Sequence, residues 1–373
     1  MKPRERVIRA LDHQETDRVP VDFGGTVVTC LELGANRRLK AHLGITDGDD
    51  PIIDYTMGTV EPCDRLKAMS GSDCRRVALN YGSPNIVAGC WTNGFGITMK
   101  KAEPHEYFDV ICNPLREAAI DDLDRMQMPD PDVAGIYAGL KERAKDLHDN
   151  SPYAIIADFG VPGFYETAQK LRGYEQFACD LLIGKEFVRV LFERLLGLQK
   201  RFFRNYLAQV GKYVHAIGYA DDLGMQDRPQ ISPETYRTML KPWHREIFAF
   251  IHGHTDAKII LHSCGAIFPL VDDLIDAGID VLNPVQTSAK GMEPERLKEA
   301  FGGRVAFWGG FDVQHMLPRG SGAEIEAETQ RLMRVLGEGG GYVFAPAHNI
   351  QADTPPENIV HLFDAAARHG MRS

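Results

Sequence analysis

The chain has no apolar run approaching the roughly 18–20 residues that span a bilayer. Its opening stretch, MKPRERVIRALDHQE, also lacks the apolar centre of a secretory signal. CxxC does not occur. The seven cysteines (Cys30, Cys63, Cys74, Cys90, Cys112, Cys179 and Cys264) are odd in number and too sparse for a disulfide framework. These absences predict a cytoplasmic protein with free thiols and no membrane partner. Basic residues are outnumbered: 42 Lys and Arg against 52 Asp and Glu leave a net charge of −10. That balance argues against nucleic acid and anionic lipid. No GxGxxG follows the early strand pattern, so the usual dinucleotide signature is missing. Internal repeats, low-complexity tracts and long linkers are missing as well.

What is present is an ordinary globular composition, 373 residues with 44% hydrophobic, ample for a large core. Short apolar runs alternate with helical patterns. The strand candidates are DRVPVDFGG (17–25), YAIIAD (153–158), YVHAIGYAD (213–221), KIILHS (258–263), IDVLNP (279–284), RVAFWGG (304–310) and GYVFAP (341–346). Amphipathic stretches such as 232–254 and 322–340 lie between them. Strands alternating with helices predict an α/β protein with a parallel sheet and outer helices. Seven such strands fit a TIM (β/α)8 barrel with one strand unassigned. Residues 1–373 then form one barrel domain, with 30–150 as a large insertion near the first strand. Within it, 75–110 reads as antiparallel strands and loops. The first residues predict a short amphipathic helix with Val7, Ile8 and Leu11 on one side.

Polar residues fall at the carboxyl ends of these runs, where a barrel builds its active site. They are Asp22, Asp158, Asp221 and Asp222, His262 and Cys264, Asn283 and Gln286, Trp308 and Asp312, and His348 and Asn349. Helix capping accounts for some Asp and Asn but not for His or Cys. Residues two apart on a strand share a side, so the HxC of LHSCGAI aims His262 and Cys264 at one point. Imidazole with thiolate suits zinc. A third ligand is required, and His348, at the end of VFAPAHN, is the candidate. Three protein ligands leave a position open, which marks a catalytic site. Asp221 and Asp222 are the acid–base candidates; neighbours on a strand point oppositely, so one of them faces the site. Gln226, Gln286, Asp312, Asp158 and Asn349 are substrate-binding candidates on the same rim. Ser232 reads as a helix N-cap. His252 and His254 read as solvated, and His13, His42, His105, His361 and His369 as lacking partners. The six cysteines other than Cys264 read as small apolar fillers.

Taken together, DRVPVDFGG, DDLGMQ, ISPETYR, LKPWHREI, LHSCGAI, the stretch from DVLNPVQ to GGFDVQ, and GYVFAPAHNIQADTPPENI resemble the uroporphyrinogen decarboxylase superfamily. The resemblance covers roughly residues 1–25 and most of 150–370, and is strongest to the corrinoid-linked methyltransferases. It implies a TIM barrel. The decarboxylases carry an arginine-rich segment after the first strand; here GGTVVTCLELGANRRLK stands instead, with Arg37 and Arg38 late and helical. Uroporphyrinogen itself is thereby an unexpected substrate. The methyltransferases bind zinc through HxC and a later cysteine; His262 and Cys264 match the pair, and the later position falls on His348. Glu166 is the candidate fourth ligand, and Tyr165, Phe164 and Trp308 are candidate pocket walls. The resemblance implies methyl transfer between a small methylated substrate, a methoxy compound or thiol, and a corrinoid such as methylcobalamin. No DxHxxG occurs, so the corrinoid is expected on a partner protein or free. A metal-assisted decarboxylase, lyase or hydrolase with Asp221 or Asp222 as base is the competing expectation. A homodimer is compatible with a barrel of this size.

Overall fold

The computed structural model describes residues 1–46, 48–102, 107–161 and 163–371; His105 lies outside them. Seven parallel strands form one sheet: β1 (Cys74–Val77), β2 (Ala154–Ala157), β3 (Ala216–Ala220), β4 (Lys258–His262), β5 (Val281–Asn283), β6 (Ala306–Phe311) and β7 (Tyr342–Pro346). They neighbour one another in chain order, as successive strand–helix units must. The extended segment 19–23 closes the ring. Its Val21 bridges Phe344 of β7, and the Asp73 N–H donates to Val21 O across 2.7 Å at the other side. The chain is therefore a (β/α)8 barrel, and β2 to β7 coincide with the expected apolar runs.

The position that the sequence pattern leaves unassigned is β1, inside the 30–150 stretch. Cys-Arg-Arg-Val does not read as an apolar run because two adjacent positions are arginine. Tertiary partners make those arginines tolerable there. Arg76 pairs with Asp158 and with Glu61, and Arg75 lies 3.5 Å from the centroid of the Tyr153 ring. Further along, Cys90–Thr92, Thr98–Lys101 and Phe108–Cys112 form an antiparallel sheet of three strands.

Alternate strand residues fill the barrel: Cys74, Ile156, Ala216, Ile260, Val281, Trp308 and Val343 make one buried cluster with Val7 and Leu11. The latter two come from the helix Pro3–Leu11, which seals the end opposite the carboxyl ends of the strands. Arg4 N–H donates to Pro152 O and Gly341 N–H to Ala10 O, both at 2.8 Å, just before β2 and β7 begin. Ile8 does not share that face; it is 37% exposed, and Arg6 and Ala10 are buried instead. Arg6 is buried because it reaches Asp17 and Asp73 at 2.7 and 2.5 Å.

Candidate metal centre

His262 is the last residue of β4 and is buried. Cys264 lies past the strand, so strand alternation is not what aims it. A turn does. Ser263 N–H donates to Asn283 O, Cys264 N–H to Asp222 Oδ1, and Gly265 N–H to Gln286 Oε1, each at 2.8 Å. Gly265 takes φ +89°, and a Cβ there would lie 2.6 Å from Gly224 C, so only glycine permits this approach. The result places Cys264 Sγ 3.4 Å from His262 Nε2. His348, two residues past β7, brings its ring centroid to 5.6 Å from that of His262. One ligand atom from each of His262, Cys264 and His348 lies within 4.8 Å of the others.

The hydrogen-bond pattern sets which ring nitrogen is available. The Trp308 carbonyl can only accept, so the Asn283 Nδ2 that lies 3.1 Å from it is the amide nitrogen. Asn283 Oδ1 therefore faces His262 Nδ1, at 2.6 Å, and accepts its proton. The lone pair of His262 is left on Nε2, towards Cys264. Asn349 Oδ1 faces His348 Nδ1 and accepts its proton, while Asn349 Nδ2 donates to Thr59 Oγ1 at 2.9 Å. Both imidazoles are thus oriented by neutral amides.

Burial and the adjacent His262 push the His348 imidazole down to about 4, so it is neutral and able to coordinate at physiological pH. Burial, with Asp222 and Glu166 beyond it, holds the Cys264 thiol well above its ordinary value. A cation is the partner that would reverse this second shift. Zn–N near ~2.0–2.1 Å and Zn–S near ~2.3 Å put tetrahedral ligand atoms about 3.3–3.6 Å apart. The 3.4 Å between Sγ and Nε2 falls within that range, and the donor set fits zinc.

Other candidates take different places. Asp222 faces the centre, with Oδ1 3.9 Å from His262 Nε2. Asp221 turns away and is wholly buried. It accepts from the N–H groups of Tyr165 (3.0 Å) and Glu166 (2.8 Å), capping the helix Phe164–Arg172, and from His244 Nε2 (3.0 Å). His244 Nδ1 in turn accepts from the Tyr236 hydroxyl at 3.1 Å. A Cβ at Gly163 would lie 2.3 Å from Asp221 Cβ, so this cap requires glycine there. Of the two acid–base candidates, Asp222 is the one that faces the centre, and Asp221 is placed away from it. Glu166 stands outside the three-residue group and pairs with Lys170 at 2.5 Å. Asp158 is buried against Arg76 and the Val27 N–H. Trp308 does not wall a pocket; it is fully buried in the barrel, its Nε1–H donating to Asp22 at 2.9 Å. Tyr165 and Phe164 are buried too, packed on Phe177 and Phe192. Gln226, Gln286, Asp312, Cys264 and His348 line a cavity of about 260 Å³. A larger one, about 930 Å³, lies among Asp54, Tyr55, Glu61, Arg76, Tyr81 and Trp91.

Asn283 was legible as a strand-end residue but not as the orienter of His262. Gln314, which also lines the smaller cavity, gave no sequence signal. His42 and His369 do have partners, Glu357 at 3.5 Å and Glu326 at 2.9 Å. Cys112 and Cys179 are exposed rather than fillers. No described helix is long and apolar enough to cross a membrane.

Fold and site together define a TIM barrel with a thiol–imidazole cluster at the carboxyl rim. The model of the family uroporphyrinogen decarboxylase (URO-D) matches residues 91–369, and the chain belongs to that family. A methylcobamide:CoM methyltransferase of Methanosarcina barkeri is 28% identical over 204 residues, 52% of this chain and 56% of that protein. The chain thus spans little more than half the length of that relative. A uroporphyrinogen decarboxylase of Paraburkholderia phytofirmans is 25% identical over 67% of this chain and 68% of its own. A solved methyltransferase from Methanosarcina mazei superposes with a TM-score of 0.67 at 20% identity, covering 99% of both chains; it shares the fold.

Proposed function

We propose that this chain is a zinc-dependent methyltransferase that moves a methyl group between a small methylated substrate and a corrinoid, free or carried by a partner protein. The substrate is a methoxy compound or a thiol. The observation that carries this is the convergence of His262, Cys264 and His348 within 4.8 Å at the carboxyl rim. The methylcobamide relative supports the corrinoid partner. His262, Cys264 and His348 would hold the zinc, which when bound would supply Lewis acidity towards a thiol or a methyl ether. One thiolate with two imidazoles leaves more positive charge than two thiolates would, which favours oxygen-bound substrates.

This chain's own residues do the rest. Asn283 and Asn349 keep both Nε2 atoms turned to the centre. Asp222 holds the Cys264 backbone and stands ready to exchange a proton with the substrate. Gln226, Gln286 and Asp312 line the substrate pocket. Arg76 and Arg143, which line the larger cavity, already stand against Glu61. That arrangement offers little to a polycarboxylate such as uroporphyrinogen.

A second reading, a metal-assisted lyase with Asp222 as base, is favoured by the decarboxylase relatives. Metal analysis and turnover separate the two. We expect about one zinc per chain, its loss in Cys264→Ala, and methyl transfer only with a corrinoid present. Zinc-free wild-type protein, or full activity after the metal is removed, would refute the first; turnover without corrinoid would establish the second.

A further inference from the structure

The smaller cavity, beside Cys264 and His348, measures about 260 Å³. That is slightly below the roughly 300 Å³ at which small-molecule cavities begin, so its occupant has few heavy atoms. Among the described residues its wall holds no lysine or arginine. Its one carboxylate, Asp312, is engaged by the backbone N–H groups of Gln314, His315 and Met316 at 2.9–3.0 Å.

Three glutamines face this space in a directed chain. The Gly265 N–H can only donate, and it donates to Gln286 Oε1 at 2.8 Å. Gln286 must then present its Nε2, which donates to Gln226 Oε1 at 3.0 Å. Gln226 Nε2 donates in turn to Gln314 Oε1 at 2.9 Å, which also accepts from Ser288 Oγ at 3.1 Å. The polarity set at one backbone amide is handed outward from side chain to side chain. It ends on Gln314 Nε2, the one amide nitrogen of the three with no protein partner among the described residues. The far end of the pocket therefore offers uncharged N–H donors. An anionic group there would meet no cation and a carboxylate nearby; a cationic group would meet N–H donors and a carboxylate whose oxygens already accept from three backbone N–H groups.

We infer that this pocket selects a small uncharged substrate whose oxygen acceptor, an ether, hydroxyl or carbonyl, binds Gln314 Nε2, making Gln314 a specificity-determining residue. The inference rests on the methyltransferase reading only for the identity of the transferred group. Three methyl ethers of nearly equal size test it: 2-methoxyethanol, methoxyacetate and 2-methoxyethylammonium. Each is titrated by ligand-observed NMR at pH 7.5 into the full chain, zinc-loaded and chelator-stripped, so that direct binding of methoxyacetate to the metal is recognised. We expect 2-methoxyethanol to bind about tenfold more tightly than either charged analogue in both forms, a difference worth about one hydrogen bond. Gln314→Leu should lose about that factor with zinc content unchanged, and Gln314→Lys should shift preference to methoxyacetate. Equal or tighter binding of a charged analogue to the stripped protein overturns the inference. So does an unaltered Gln314→Leu, or no saturable binding of any of the three. Zinc content of the same samples keeps the two proposals apart, since wild type without zinc defeats the metal reading alone.

Discussion

Asn283 does more for the candidate centre than its place at the end of a short strand suggests. It joins the Trp308 carbonyl to His262 Nδ1 and so decides which nitrogen of the ring is free. Replacing it with leucine should weaken zinc binding about 10- to 100-fold in chelator competition, whereas Asn283→Asp, which still accepts, should retain most of it. Asp221 works at the same scale but for stability. Its carboxylate satisfies two orphan N–H groups at a helix start and one buried imidazole. Removing it leaves all three unpaired. Asp221→Ala should cost about 3 kcal/mol in denaturant unfolding, with zinc stoichiometry per folded chain unchanged. Of these two roles the sequence exposed only the residue types. An Asp after a strand looks the same whether it faces a substrate or turns back to cap a helix from another unit. The inward turn of Asp221 needs the absence of a side chain at Gly163, a residue distant in sequence that the fold brings against it.

Between elements, the neighbours β2 and β3 are tied by a histidine. The Ile155 N–H donates to His215 Nδ1 at 3.0 Å, just before β3 begins. Burial and the nearby Arg4 push that imidazole down to about 4, so the neutral ring is the native form. The unfolded chain takes up the proton near the ordinary value of about 6.5. The folded state then binds fewer protons, and stability falls as pH drops from about 6.5 towards 4. His215→Gln should flatten that part of the stability–pH curve, as followed by urea midpoints, at a cost of about 1–2 kcal/mol at pH 7.5. Element type was readable wherever apolar periodicity was strong: β2 to β7 and the helix Gly322–Gly337 fall where the pattern puts them. β1 was not readable, because its two arginines are stabilised by Asp158, Glu61 and Tyr153, partners that only the closed barrel supplies.

For the molecule as a whole, closure depends on the chain's first 23 residues. The segment 19–23 seals the sheet between β7 and β1, and the helix Pro3–Leu11 plugs the far end with Val7 and Leu11. Leu11→Ala, in a fully packed position, should cost about 2–4 kcal/mol and lower the thermal midpoint without altering the affinity for zinc. The barrel's two ends are thus separable by experiment, one carrying stability and the other the candidate chemistry.

The sequence by itself determined the fold class and six of the seven sheet strands, and it singled out His262, Cys264 and His348 as candidates, because alternating apolar runs admit few architectures and histidine with cysteine admits few chemistries. Only the tertiary structure decided which polar groups meet. Convergence at the rim, the tautomer of His262, the burial of Trp308 and the glutamine chain ending on Gln314 all arise from contacts between distant segments, and no local pattern encodes the direction of a side chain relative to another strand.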